Sequence, residues 1–434
     1  MDGLSLAIGA FAVLFTLMLL RVPVGIAMVL VGVGGFAVLT DIGPALSLLE
    51  LTPIRTLTDF TFGLVPLFVL MGALANASGM SRDLFRASNA WLGHRRGGLA
   101  LSTVAACGGF AAICGSSVAT AATMSKVALP EMRRYGYADS LATGTIAAGG
   151  TLGILIPPSI VLAVYGIITE TDIGRLFVAG LLPGLLAVLM YMAAVQGVAV
   201  VRPEWVPAGE RSDWRTRIVS LRTVWPILAV FAFVIGGIYG GVFTPTEAAA
   251  MGAAAVGILA FAIGRMSLAR LLDCLREALI TTGALFIVLI GAILFARFLT
   301  ITQFPQQVAE TLLSLDLGRY GTLALIILFY VILGCFMEAM AIILLTVPVF
   351  FPSIVGLGFD PIWFGVIVVM VTELGLITPP FGLNVFVIKG EAPNVPPTST
   401  PMRNRACATA FFVFLSISCG TIPTRSKDGP IGPV

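Results

Sequence analysis

GGTLGILIPPSIVLAVYG, residues Gly149 to Gly166, is an apolar segment broken in its middle by Pro157-Pro158. Two successive prolines remove two backbone donors and strain the preceding turn, so a helix surrounded by hydrocarbon avoids them. Non-helical backbone at membrane depth is tolerated where it is buried in protein or lines a cavity. The chain uses this segment type twice. Residues Thr372 to Ile388 read TELGLITPPFGLNVFVI, and an offset of 222 places Leu152, Gly153, Pro157 and Pro158 on Leu374, Gly375, Pro379 and Pro380 without a gap. The same offset carries Pro130 onto Pro352 and Gly136-Tyr137 onto Gly358-Phe359. Two interrupted apolar segments at corresponding positions of two halves point to the binding site of a secondary transporter.

Composition agrees with a membrane setting. Of 434 residues 58% are hydrophobic and 11% charged, and the mean hydropathy is +1.03, far outside the range of soluble domains. Apolar runs recur at about the length a helix needs to cross a bilayer, and no strand-like alternation persists, which argues against a β-barrel. The net charge of +3 resides in short loops and serves orientation, so no nucleic-acid partner is expected. The six cysteines show neither CxxC spacing nor clustering with histidine and read as packing residues. No G-x-x-x-x-G-K-[ST] occurs, which excludes ATP binding of the P-loop kind. Leu4 to Leu20 lacks a basic start and a cleavage site and reads as a retained helix.

Along the chain, residues 1–65 read as N-terminal scaffold helices, with spans at Leu4 to Leu20 and Val22 to Thr40 and an interfacial stretch from Ala45 to Gly63. A first repeat covers 66–201: FVLMGAL at Phe68 to Leu74, a loop at Ser81 to Gly98 holding His94 and four arginines, a re-entrant hairpin turning at Gly115-Ser116-Ser117, and the first broken segment. Gly174 to Val201 closes this half. Residues 202–222 read as a cytoplasmic linker and 223–284 as further scaffold, where Thr244-Pro245-Thr246-Glu247 has the form of a helix-starting capping box. The second repeat, 285–390, opens with IVLIGAI at Ile287 to Ile293, continues through a long apolar run containing Glu338, and ends in the second break. Basic residues flank the first hairpin (Arg82, Arg86, Arg95, Arg96, Lys126, Arg133, Arg134), whereas Arg297 and Arg319 alone flank the second. The positive-inside rule therefore has the hairpins enter from opposite faces, as inverted repeats.

Four motifs carry a family resemblance: GSSVATAAT at 115–123, GTLGILIPPSIVLAVYG at 150–166, YGGVFTPTEAAA at 239–250 and LGLITPPFGLNVFV at 374–387. With them the chain resembles the large, DctM-like membrane subunit of tripartite ATP-independent periplasmic (TRAP) transporters, which take up C4-dicarboxylates, sialic acid and related organic acids. The resemblance implies an all-α polytopic protein of the bacterial inner membrane, with an elevator-type scaffold and transport domain. It also implies sodium as coupling ion and no other cofactor, a small DctQ-like membrane subunit, and a DctP-like periplasmic substrate-binding protein. From Glu391 the chain departs from the family's longer final helix, and the apolar stretch Ala406 to Cys419 reads either as a short last helix or as a divergent tail.

The resemblance places sodium and substrate between the two hairpins and the two breaks. One lobe is expected from Gly115, Ser116, Ser117 and Thr120 with Gly149, Gly150, Thr151, Pro157, Pro158 and Ser159. The other is expected from Glu338, Thr372, Glu373, Thr378, Pro379, Pro380, Gly382 and Asn384. Unwound segments offer carbonyls to sodium, and half-helix N-termini offer amide donors to a carboxylate. Glu338 and Glu373 read as acids far from any loop, a costly placement that marks function. Small serines also let helices pack closely. Two other classes stay open: a passive channel, whose filter also uses broken backbone, and an intramembrane serine protease, which needs a histidine base that only His94 could supply.

Overall fold

The computed structural model describes residues 3–207, 209, 211–315, 317–378 and 382–391. These residues are almost wholly α-helical, with no strand among them. The first half comprises α1 (Gly3–Leu19), α2 (Val24–Leu39), α3 (Ile42–Thr58), α4 (Leu64–Ala77), α5 (Met80–Leu92), α6 (Gly98–Cys114), α7 (Ser117–Arg134), α8 (Asp139–Leu155) and α9 (Ile160–Ile168). A connecting helix, α10 (Ile173–Val201), leads to α11 (Trp214–Tyr239), α12 (Pro245–Ala262), α13 (Leu268–Ile301) and α14 (Phe304–Ser314). The second half ends in α15 (Gly318–Gly334), α16 (Ala339–Gly356), α17 (Pro361–Ile377) and α18 (Leu383–Glu391). Among the described residues six helices are long and apolar enough to cross a membrane, or seven if the pair α8 and α9, bent by 41°, counts as one span.

The repeat extends through the helices themselves. Shifted by 222 positions, the bounds of α7 and α8 coincide with those of α16 and α17, and α2 falls on α12. Packing repeats as well: α2 lies against α13, and its counterpart α12 lies against α4. The halves differ at one joint. α3 ends where the Asp59 carboxylate accepts the Thr61 N–H at 2.8 Å, while the matching stretch of the second half carries no such stop and runs through as α13, 34 residues long.

Two tyrosines show the inversion. Tyr137, just before α8, meets the Leu99 N–H and the Pro207 carbonyl, both at 3.2 Å. At the far end of the α8–α9 rod, the Tyr165 hydroxyl donates to the carbonyl of Pro361 at 2.7 Å. Pro361 is the first residue of α17, the counterpart of the first residue of α8. The second broken segment thus starts where the first one finishes and runs against it.

Three sequence expectations change. Residues 80–92 form a helix rather than a loop: Met80, Leu84, Phe85, Ala87 and Ala90 bury one face while Arg82 and Arg86 stay outside, a helical period that the arginine count concealed. The linker is shorter than 202–222, because α11 already begins at Trp214; Arg217 is buried there, with its guanidinium 5.0 Å from the Trp214 ring and donating to the Ala90 carbonyl at 3.2 Å. The boundary at 284/285 lies within the continuous α13. The capping box is formed, with Glu247 accepting the Thr244 N–H at 2.8 Å. Pro379, Pro380 and the tail beyond 391 lie outside the described residues.

Candidate functional site

The first hairpin turns because Gly115 takes φ 64°, open to glycine at little cost. A Cβ there would also stand 3.0 Å from the Pro158 carbonyl oxygen, so the tip and the first break touch. Ser116 caps α7, its hydroxyl accepting the Ala119 N–H at 3.3 Å, and Thr120 donates to the Ser116 carbonyl at 2.8 Å. Ser159 caps α9 in the same way through the Leu162 N–H at 3.2 Å. Two helix N-termini, of α7 and α9, thereby meet at one place. α8 seats the tip: a Cβ on Gly150 would come within 2.9 Å of the Ala121 Cβ and 3.2 Å of the Ser117 carbonyl, and Gly149 packs on Cys107. Thr151 is not brought to the tip, because its hydroxyl sits 3.0 Å from that of Tyr191 on α10.

The second hairpin turns between Gly334 and Ala339. Glu338 is therefore the residue that opens α16, not an acid far from a loop; the turn Cys335-Phe336-Met337 lacks the glycine or proline that would have marked it. Glu338 is exposed and makes no capping bond. Gly375 of α17 packs directly on Gly334. Thr372 and Thr378 turn their hydroxyls to their own helix, donating to Val369 at 2.9 Å and Leu374 at 2.6 Å. Gly382, at φ 56°, leads into α18.

Both halves carry buried polar side chains that are left unsatisfied. The Ser117 hydroxyl, both carboxylate oxygens of Glu373 and the side-chain amide of Asn384 are buried without a hydrogen-bond partner among the described residues. Their exposures are 1%, 1% and 0%. α18 packs against α7 and α17, and α17 against α8; Ser117 opens α7, Asn384 lies in the first turn of α18 and Glu373 near the end of α17. A buried carboxylate without a partner costs several kcal/mol. Buried oxygen-bearing side chains left without a partner, on helices that pack together, suit a small hard cation.

Beside the tip lies a cavity of about 130 Å³ whose polar lining includes Asn76, Ser116, Thr123, Glu277 and Glu338, with no basic residue. Asn76 and Thr123 are 3.3 Å apart and link α4 to α7. Sequence reasoning missed Asn76, Thr123 and Glu277. Glu277 was masked by its neighbours, since it stands with Arg270, Asp273 and Arg276 in the charged first part of α13. No group of three or more His, Cys, Asp or Glu that could hold a metal occurs among the described residues. A serine nucleophile finds no base: His94 sits 3.5 Å from Arg217, beyond the N-terminal end of α6, and the 17 residues of α6 put roughly 25 Å of helix between it and the tip.

Comparison with known proteins gives concordant matches. The family described as "Tripartite ATP-independent periplasmic transporter, DctM component" matches residues 11–417. The C4-dicarboxylate TRAP transporter large permease protein DctM of Pseudomonas aeruginosa is 43% identical over 77% of this chain and 78% of its own length. The isethionate TRAP transporter permease protein DctMQ of Oleidesulfovibrio alaskensis is 35% identical over 90% of this chain, which spans 61% of that protein. The crystal structure of the Alcanivorax borkumensis YdaH transporter has a TM-score of 0.58 at 15% identity, covering 86% of this chain and 88% of its own, a likeness of fold.

Proposed function

The chain belongs to the DctM component family of TRAP transporters, and from that premise we propose that it couples sodium entry to the uptake of a small organic acid across the bacterial inner membrane. It is a multi-pass membrane protein and not an enzyme. In the proposed assembly a DctQ-like subunit braces it and a DctP-like binding protein delivers the substrate, in keeping with the combined DctMQ name of one relative. The two hairpins and two broken segments are the mobile part and the remaining helices the scaffold.

The observation that carries this reading is the partnerless cluster of Ser117, Glu373 and Asn384, oxygen donors that a sodium ion satisfies. The adjoining cavity gives coupling a physical reason. Glu277 and Glu338 line it without a basic counterpart, so an entering carboxylate meets two like charges, each worth roughly 3 kcal/mol at 5 Å and an effective dielectric of 20. Sodium bound first offsets part of that repulsion, and the N-termini of α7 and α9 then offer backbone donors to the acid. C4-dicarboxylates, named for the Pseudomonas relative, and sialic acid are the first compounds to try. The test is uptake into liposomes carrying this chain, its small subunit and loaded binding protein. Accumulation is expected only under an inward sodium gradient and without nucleotide; accumulation indifferent to sodium but raised by ATP overturns the reading.

A further inference from the structure

A second cavity, of about 540 Å³, lies away from both hairpin tips, between α2, α3 and the C-terminal part of α13. Its charged residues are Arg55, Asp59 and Arg297. Among the described residues neither guanidinium has a hydrogen-bond or ion-pair partner, and both residues are exposed. Asp59 is already engaged by the Thr61 N–H. The formal sum is one uncompensated positive charge.

Its depth follows from the helices. α13 starts near the basic face, where Arg265 pairs with Asp83 of α5. Arg297 lies near the other end of that helix, roughly 44 Å from its first residue at 1.5 Å per residue. α2 runs parallel to α13, with Gly25 on Ile287 and Gly32 on Phe295, so Phe36 reaches the same level. The cavity therefore opens at the headgroup layer opposite the basic face, where arginine is scarce. Beside the charged edge its lining combines apolar Phe36, Leu48, Leu51, Phe62 and Ile293 with the threonines Thr52, Thr56 and Thr300. Leu46, Ile54 and Leu57 extend an exposed apolar strip along α3.

We propose that this cavity binds the phosphodiester of an outer-leaflet phospholipid, with Arg55 and Arg297 as the clamp and the apolar strip of α3 as the bed of an acyl chain. Guanidinium forks match phosphate oxygens geometrically, and the monoanion of a phosphodiester equals the uncompensated charge. A free phosphate ion would use the clamp and leave the apolar walls in water. The lipid fills the joint at Asp59, where the first repeat is broken and the second is continuous.

The experiment is native mass spectrometry of the transporter complex purified in mild detergent, with dioleoyl phosphatidylglycerol as added probe. Wild type is expected to keep one phospholipid per permease, and Arg55→Gln with Arg297→Gln to lower its occupancy at least tenfold, while retained binding of the small subunit shows the complex intact. If the double variant does not fold, Arg297→Lys, which keeps the charge and loses the fork, carries the test with an expected several-fold loss. Unchanged occupancy in a folded variant overturns the proposal. So does displacement of the lipid by inorganic phosphate, which would make a soluble anion the ligand, or loss of the small subunit at unchanged lipid occupancy, which would make the cleft a protein interface.

Discussion

The two hairpin tips occupy equivalent positions and are equipped differently. At the first, Ser116 caps α7, Thr120 bonds back to the tip, and Gly115 lies against the Pro158 carbonyl. At the second, the residue 222 positions on from Ser116 is Glu338, which leaves α16 uncapped and exposes a carboxylate. One tip spends its polar groups on its own shape and the other presents charge to the cavity. The next layer differs in the same sense: Gly150 has no side chain and is packed on Ala121, while its counterpart Thr372 fits one. The duplicated backbone supplies two breaks and two turns, and the divergence between the copies supplies the chemistry.

The largest effect should come from placing a side chain where the first copy has none and the second has one. Gly150→Leu is expected to abolish uptake and lower the melting temperature, because the Cβ alone would meet Ala121 at 2.9 Å and overpacking costs typically ~1–3 kcal/mol. Thr372→Ala, at the matching site, should keep at least half the uptake. Equal damage at both positions would erase the distinction between the lobes.

Next comes the buried acid. Glu373→Gln keeps the volume and removes the charge, so sodium for half-maximal uptake should rise at least tenfold while membrane insertion is intact. Unchanged sodium dependence in flux assays would move the ion site elsewhere.

The tips should then dissociate. Ser116→Ala loses a cap worth ~1 kcal/mol and should lower thermal stability with little change in sodium dependence. Glu338→Gln should do the reverse, shifting sodium dependence several-fold with stability preserved. The same phenotype in both would mean that the polar difference has no functional consequence.

The smallest effect sharpens the inversion. Single cysteines replacing Arg82 and Gly356, both exposed, should react with impermeant reagents from opposite sides of the membrane and leave transport nearly unchanged. Reaction from one side contradicts the antiparallel course of α8 and α17.

The sequence carried the large features well because prolines and glycines punctuate backbone at fixed spacing. The 222-residue register, the turn at Gly115 and the first break could be read from residue order, and all appear where the structure bends. The helix over Met80–Leu92 was hidden because its arginines drew attention away from the apolar face, and the turn before Glu338 because Cys335-Phe336-Met337 looks like uninterrupted span. The setting of Ser117, Glu373 and Asn384 was only half legible: each stood out, but the crossing of α18 onto α7 did not, because packing between distant halves leaves no local pattern. Glu277 and Asn76 enter the cavity for the same reason.

The central claim is that this partnerless cluster holds the coupling ion, and sodium-titrated thermal unfolding of the purified chain with its small subunit tests it most directly. Binding to the folded state alone stabilises it by about 2.7 kcal/mol at a ligand concentration 100 times the dissociation constant. The account predicts a melting temperature that climbs with sodium, stays flat in potassium or choline at equal ionic strength, and loses its sodium dependence in Glu373→Gln. Equal stabilisation by sodium and potassium, or an undiminished sodium response in Glu373→Gln, would contradict it.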